Sequence, residues 1–322
     1  MSVICNTRRL SQSSIELKKI VLEDKPLIDG YFNRFRVPLS DYTFANNYIW
    51  FENADGYYSI INGNLCLFIR NQFLSMLLPP IGDQKLFETL VECFEIMNAE
   101  NEDHHDSKID FVHDGFLENV DFEIFSVERQ NPDYIYLTSE ITELRGNKYK
   151  TKRNEINYFT KNFSFSYQPY RTEMRDMAMD LIYRWAKLRY ETSKDKCCYS
   201  HFVELIELER NAISRVLDHH EDLGLSGAVI VINDKIEGIT FGEKIDQNTA
   251  SILIEKTNFE YFGISQYLFR EFCHRAFPDC NLVNVGDDLG FENLRRVKMS
   301  YHPYSYGPKY IIRQKSGLPC KP

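Results

Sequence analysis

The 322-residue chain predicts an α+β protein with mixed α/β sheets, built as two tandem domains of the same design. Three observations carry that prediction. The order strand, strand, strand, loop, helix, strand is written twice along the chain. The length is about twice the commonest single-domain size. The composition, 43% apolar and 26% charged, is that of a globular protein and excludes disorder, collagen and coiled coil.

In the first copy, residues 57–62 and 65–70 are short apolar strands around Asn62-Gly63-Asn64, a hairpin turn in which Gly63 takes positive φ cheaply. A third strand, 73–78, stops at Pro79-Pro80-Ile81-Gly82-Asp83. Leu86, Phe87, Leu90, Val91 and Phe94 then mark an amphipathic helix. A polar loop over 98–108 and strands at 109–112 and 134–138 complete the copy. The second copy has a longer helical entry, 174–189 and 201–217. Strands follow at 225–232, 237–243 and 249–255, the first two joined across Asn233-Asp234-Lys235. A glycine loop opens a helix with Ile264, Leu268, Phe272 and Ala276 on one face; a strand at 282–285, a short helix at 290–298 and a strand at 304–312 close the copy. The expected domains are 1–144 and 163–322, with a basic linker helix, 145–162, between them. Its first nine residues, Arg145 to Arg153, hold five basic residues and no acid.

With 38 Lys+Arg against 47 Asp+Glu the formal charge is -9, so broad nucleic-acid binding is not expected and a phosphate-bearing partner needs a local basic patch. Apolar runs such as 65–69 and 228–232 fall far short of the roughly 20 residues that cross a bilayer. No integral membrane contact is expected, and with no signal-like N-terminal segment the expected location is the cytoplasm. The eight cysteines form no C-x-x-C pair and read as free thiols, Cys66 and Cys93 in the core. Cys197-Cys198 with His201, His104-His105-Asp106 and His219-His220-Glu221-Asp222 match no standard zinc spacing, so no metal is expected.

Several strings resemble a known family. The element order is the core of the GNAT N-acyltransferase fold. Leu39-Ser40-Asp41-Tyr42-Thr43-Phe44 with Trp50, Leu78-Pro79-Pro80-Ile81-Gly82, Gly146-Asn147-Lys148-Tyr149-Lys150-Thr151-Lys152-Arg153-Asn154, and Asp288-Leu289-Gly290 through Leu294-Arg295, Lys298 and Ser300-Tyr301-His302-Pro303 are similar to a bacterial family. That family shares its domain with the C-terminal part of phosphatidylglycerol lysyltransferases. The resemblance covers about residues 17–312. It implies two tandem GNAT-like domains, as in Fem-type transferases that use aminoacyl-tRNA, and carries no substrate with it; the expected partners are a phosphate-bearing acyl donor and a small-molecule or peptide acceptor.

Candidate site residues follow from that chemistry. A GNAT phosphate site needs free backbone N–H groups at a helix N-terminus; Gly263 and Ser265 stand at that place, behind an unfavourable Glu260. Lys148, Lys152 and Arg153 offer charge-assisted hydrogen bonds to donor phosphates. Asp288, at a strand end before a short helix, is placed to orient an acceptor amine or take its proton, with Arg295 and Lys298 stabilising oxyanion or phosphate charge. The same three residues also fit helix capping and the helix dipole. Glu255, and behind it Glu243, are further candidates for general base. The leading expectation is an acyltransferase that moves an aminoacyl or related acyl group, with aminoacyl-tRNA or acetyl-CoA as candidate donor, to an amine or hydroxyl acceptor in a cleft of the second domain. An acetyl-CoA-dependent N-acetyltransferase and a non-catalytic binding protein are the alternatives.

Overall fold

The computed structural model describes residues 8–9, 15–51, 55–193 and 199–315. The chain forms two compact units, Met1–Asp133 with Gly307–Pro322, and Tyr134–Tyr306. The first passage through unit 1 runs β1 (Arg8–Arg9), β2 (Glu16–Lys19), α1 (Lys25–Arg34), α2 (Phe44–Ile49), β3 (Asp55–Ile61), β4 (Asn64–Arg70), β5 (Leu74–Met76), α3 (Leu86–Glu100), β6 (Lys108–His113) and β7 (Phe125–Arg129). Then come β8 (Asp133–Leu137), α4 (Thr138–Glu143), α5 (Lys150–Asn162), β9 (Ser166–Pro169), α6 (Arg175–Ser193), α7 (Tyr199–Leu223), β10 (Ser226–Ile232), β11 (Lys235–Lys244) and β12 (Thr249–Thr257). α8 (Ile264–Ala276), β13 (Leu282–Asn284), α9 (Glu292–Met299) and β14 (Ser305–Gly307) follow, and β15 (Lys309–Gln314) returns to unit 1.

Among the described residues the sheets run β1-β2-β3-β4-β5-β6-β15-β7 and β14-β8-β13-β12-β11-β10-β9. Each has an antiparallel three-strand meander followed by one parallel neighbour across a helix: β5 with β6, and β12 with β13. The meander turns are built by residues that tolerate left-handed backbone: Asn62 and Gly63 at φ 52° and 83°, and Asn233 and Asp234 at 49° and 59°. In unit 1, Leu90, Cys93, Phe94 and Met97 of α3 are buried in one core with Phe68, Met76, Ile109 and Phe125. In unit 2, α8 lays Leu268 and Phe272 on one face of the sheet, and Phe241 on the other face meets Tyr170 and His220.

The division differs from the expected 1–144, 145–162 and 163–322. β8 is an antiparallel neighbour of β13 in the second sheet, so unit 2 begins at Tyr134. The expected final strand over 304–312 breaks at Gly307-Pro308, where proline supplies no N–H to a ladder, and its halves enter different sheets. Of the expected linker helix 145–162, Lys150–Asn162 form α5, an integral helix of unit 2 with Ile156 and Phe159 in the core, and Arg145 and Lys148 precede it.

Unit 1 carries a buried charge cluster. The Lys309 ammonium is 1% exposed and lies 3.0 Å from Asp41 and 2.8 Å from Asp133. Asp133 also accepts the Ser40 N–H at 2.8 Å. A desolvated lysine is tolerated where carboxylates surround it, which explains Asp41 in the Leu39–Phe44 string. In the Leu78–Gly82 string, Ile81 pairs with Leu65, and a Cβ on Gly82 would run into the Asn64 side chain. Both strings are packing devices.

Cys66, Cys93, Cys273 and Cys280 are buried free thiols; Cys5, Cys197, Cys198 and Cys320 lie outside the described residues. Among the described residues no cluster suited to a metal ion is found, and no helix is long and apolar enough to cross a membrane.

Candidate active site

β12 and β13 are in register over Thr249↔Leu282, Ala250↔Val283 and Ser251↔Asn284. There β13 ends, while β12 continues for six more residues and the sheet opens. At the opening the β11–β12 ladder jumps from Gly242↔Ile252 to Phe241↔Ile254, leaving Leu253 as a bulge residue without a cross-strand partner. Bulges of this kind re-aim side chains and release backbone groups beside active sites. Glu255 is the next residue but one.

Glu255 pairs with Thr240 and shares its face of the sheet. Gly238, two residues earlier on that face, would meet Leu268 of α8 with any Cβ, so both side chains point to the α8 side. Glu255 is half-buried, its carboxyl enclosed by protein. Burial pushes its pKa up to about 8, with Lys256 opposing weakly. Its charge is felt by Cys273 of α8 and by Tyr301. Thr240 is fully buried, and its Oγ1 finds no hydrogen-bond partner among the described residues. Lys152 of α5 holds its ammonium 4.5 Å from the Tyr301 ring centroid and 3.8 Å from Glu155 Oε2. That Glu155 oxygen is also without a hydrogen-bond partner among the described residues. Burial lowers the Lys152 pKa and pushes the Tyr301 phenol well above the usual tyrosine range, the Glu255 and Glu155 charges adding to the latter. Buried polar groups without partners are costly and uncommon. Thr240 stands opposite Glu255, and Glu155 with Lys152 stands by Tyr301, on which the Glu255 charge also acts; such a grouping makes this part of unit 2 the candidate site.

The other expected site residues are elsewhere engaged. Asp288, 1% exposed, accepts from Tyr134 Oη at 2.6 Å, Arg295 Nε at 2.7 Å and Gly290 N–H at 2.9 Å. Arg295 foremost, with Tyr134 and Gly290, holds its pKa down to about 2 against the cost of burial. Lys298 Nζ donates to the carbonyls of Val285 at 2.5 Å, Gly286 at 3.0 Å and Asp287. Together these bonds tie the 285–290 loop to α9. Lys148 pairs with Glu140 at 2.8 Å, and Arg153 donates to the carbonyls of Leu144 and Gly146. Lys152 alone of this trio is buried, against the Tyr301 ring. Gly263, at φ 90°, opens α8; a Cβ there would strike the Glu155 backbone carbonyl of α5, so α5 lies directly on the loop. Ser265 Oγ is 2.5 Å from Thr257 Oγ1. His302 packs edge-on against Tyr149.

The Phosphatidylglycerol lysyltransferase, C-terminal, family model matches residues 33–313. The chain belongs to that family. A conserved protein of unknown function from Bacteroides thetaiotaomicron is 27% identical to this family member, with a TM-score of 0.81 over 93% of this chain and 99% of that one. L-PGS from Bacillus licheniformis, 14% identical, has a TM-score of 0.61 over 92% and 93% of the two chains. FemX, 9% identical, reaches 0.50 over 93% and 97%. These likenesses establish the tandem GNAT-like, Fem-related fold. An uncharacterised Mycoplasmoides gallisepticum protein is 20% identical over 193 residues, 60% of this chain; the chain spans 59% of that relative's length.

Sequence reasoning named Glu255 and Lys152 but not Thr240 or Glu155. Tyr301 was visible only inside the Ser300–Pro303 string. For Thr240 the strand period alone assigns a face; its pairing with Glu255 depends on the bulge at Leu253, which the sequence does not mark.

Proposed function

We propose that this protein is an acyltransferase that moves an aminoacyl or related acyl group onto an amine or hydroxyl, with the chemistry carried out around Glu255 in unit 2. The observation that carries the reading is the Glu255 carboxyl, enclosed at the point where the β12–β13 sheet opens and raised to about 8 by burial. A base with that affinity accepts a proton from an attacking amine or hydroxyl efficiently near neutral pH. In the proposed step the acceptor attacks the acyl carbonyl as its proton passes to Glu255. The departing oxygen then takes a proton from the Tyr301 phenol, whose high pKa matches an alkoxide leaving group. The Leu253 bulge lies two residues away as a source of backbone hydrogen bonding to the developing oxyanion.

Two features support an aminoacyl ester as donor. The matching family is described as a lysyltransferase, and α5 lies on the Gly263 loop where a CoA pyrophosphate would need open N–H groups. Asp288, with a pKa of about 2 and three hydrogen bonds, is a poor base and is assigned to loop ordering. The test is transfer of labelled acyl groups from a panel of aminoacyl-tRNAs and acetyl-CoA to amine and hydroxyl acceptors. Turnover with an aminoacyl-tRNA that Glu255→Gln abolishes supports the reading. Turnover with acetyl-CoA alone makes the protein an N-acetyltransferase, and transfer that Glu255→Gln leaves intact places the chemistry elsewhere.

A further inference from the structure

Lys152 has no part in the proton transfers just described, yet its position is costly. Of the five basic residues over 145–153 it is the one turned inward, 9% exposed, while Arg145, Lys148 and Lys150 are exposed and Arg153 caps carbonyls. Its ammonium meets an aromatic face rather than water: the Tyr301 ring centroid is 4.5 Å away, inside the range at which a desolvated cation is attracted to a ring. Its nearest carboxylate, Glu155 Oε2 at 3.8 Å, is too far for a hydrogen bond. The Tyr301 ring is braced on its other sides by Phe269 at 5.2 Å and Tyr136 at 6.1 Å, and its backbone carbonyl accepts the Tyr149 hydroxyl at 3.0 Å. The charged or titratable groups around this pair are Glu155 on α5, Glu255 on β12, Cys273 on α8 and Tyr136 on β8. Carboxyls therefore face the phenol from two elements, and Lys152 brings a positive charge to the ring.

We propose that Lys152 is a positioning residue that acts through Tyr301, clamping the ring by cation–π attraction and offsetting the carboxyls of Glu255 and Glu155. The proposal rests on the acyl-transfer reading for its kinetic part only. Its structural part is read without substrate, from the Tyr301 ring resonance in protein carrying 13C-labelled tyrosine, assigned by its loss in Tyr301→Phe. That resonance moves in Lys152→Met and returns toward its original position in Lys152→Arg, which keeps the cation. Where turnover is measured, Lys152→Met lowers kcat roughly 10- to 100-fold with KM within about twofold, and Arg restores most of it. In a Tyr301→Phe background the same change costs less than about twofold, because residues acting as a unit are not additive. An unmoved Tyr301 resonance in Lys152→Met, or losses that multiply in the double variant, overturns the proposal. Should Lys152→Met not fold, Lys152→Gln carries the same readouts. Transfer absent from the parent with every donor tested defeats the acyl-transfer reading instead, and Glu255→Gln retaining full rate defeats the assignment of Glu255, while the resonance still decides the role of Lys152.

Discussion

Asp288→Asn separates a loop-ordering carboxylate from a catalytic one. In the native protein Arg295, Tyr134 and Gly290 hold the Asp288 pKa at about 2, against an ordinary 3.8. At about 1.36 kcal/mol per unit the whole shift corresponds to roughly 2.4 kcal/mol. The Arg295 side chain is 51% exposed, and solvent screening of its end of the pair reduces the expected loss to about 1–2 kcal/mol. For a unit of this size that lowers Tm by about 3–6 °C. The pH dependence has a definite sign. A depressed carboxylate contributes its stability above the unfolded-state value near 3.8 and loses it as pH falls toward 2. The variant should therefore trail the parent by a constant margin above about pH 5 and converge with it near pH 2. Urea unfolding followed by circular dichroism across that range measures the margin, and transfer activity per folded molecule should stay within about threefold. A loss of activity of about 100-fold or more with unchanged stability would refute the structural role and return Asp288 to the chemistry.

Other outcomes follow from the same contacts. Glu255→Gln should relieve an alkaline penalty: the native carboxyl keeps its proton up to about 8, so native stability falls as pH rises from about 4.5 through 8. The variant should gain about 1–2 kcal/mol on the parent between about pH 4 and pH 9, after allowance for partial solvent access, as read by thermal melts at both pH values. Lys309→Met removes the buried cation that Asp41 and Asp133 share and should cost about 3–5 kcal/mol, seen as a large fall in urea midpoint. Gly263→Ala forces a Cβ toward the Glu155 carbonyl at positive φ. It should lower stability by about 1–3 kcal/mol or more, and a neutral result in the same melts would show that α5 can move off the loop.

Much of the fold was legible because it is written in periodicity. The Asn-Gly and Asn-Asp turns, the helical spacing of apolar residues in α3 and α8, and the repeated meander all survive in the structure within a few residues. The unit boundary was not legible, because β8 and β15 are short apolar strands that suit either sheet, and only pairing decides which one takes them. The basic run shows the limit for sites. Composition marks 145–153 as cationic but says nothing of direction, and the helix turns Lys152 inward while Lys148 pairs with Glu140 and Arg153 caps carbonyls. Asp288, Arg295 and Lys298 have the residue types of a catalytic group and the geometry of a knot. Glu255 gains its character from enclosure at a bulge and a strand end, features that belong to the ladder and not to the local sequence.

The most direct test of Glu255 as the proton acceptor is the pH dependence of kcat/KM for acyl transfer, from about pH 6 to 10, in the parent and in Glu255→Gln. The parent rate should rise through a midpoint near 8, as the carboxyl loses its proton. The variant should be flat over that limb and lower by about 100-fold or more. A variant that reproduces the parent limb at full rate would contradict the assignment and place the base elsewhere in the molecule.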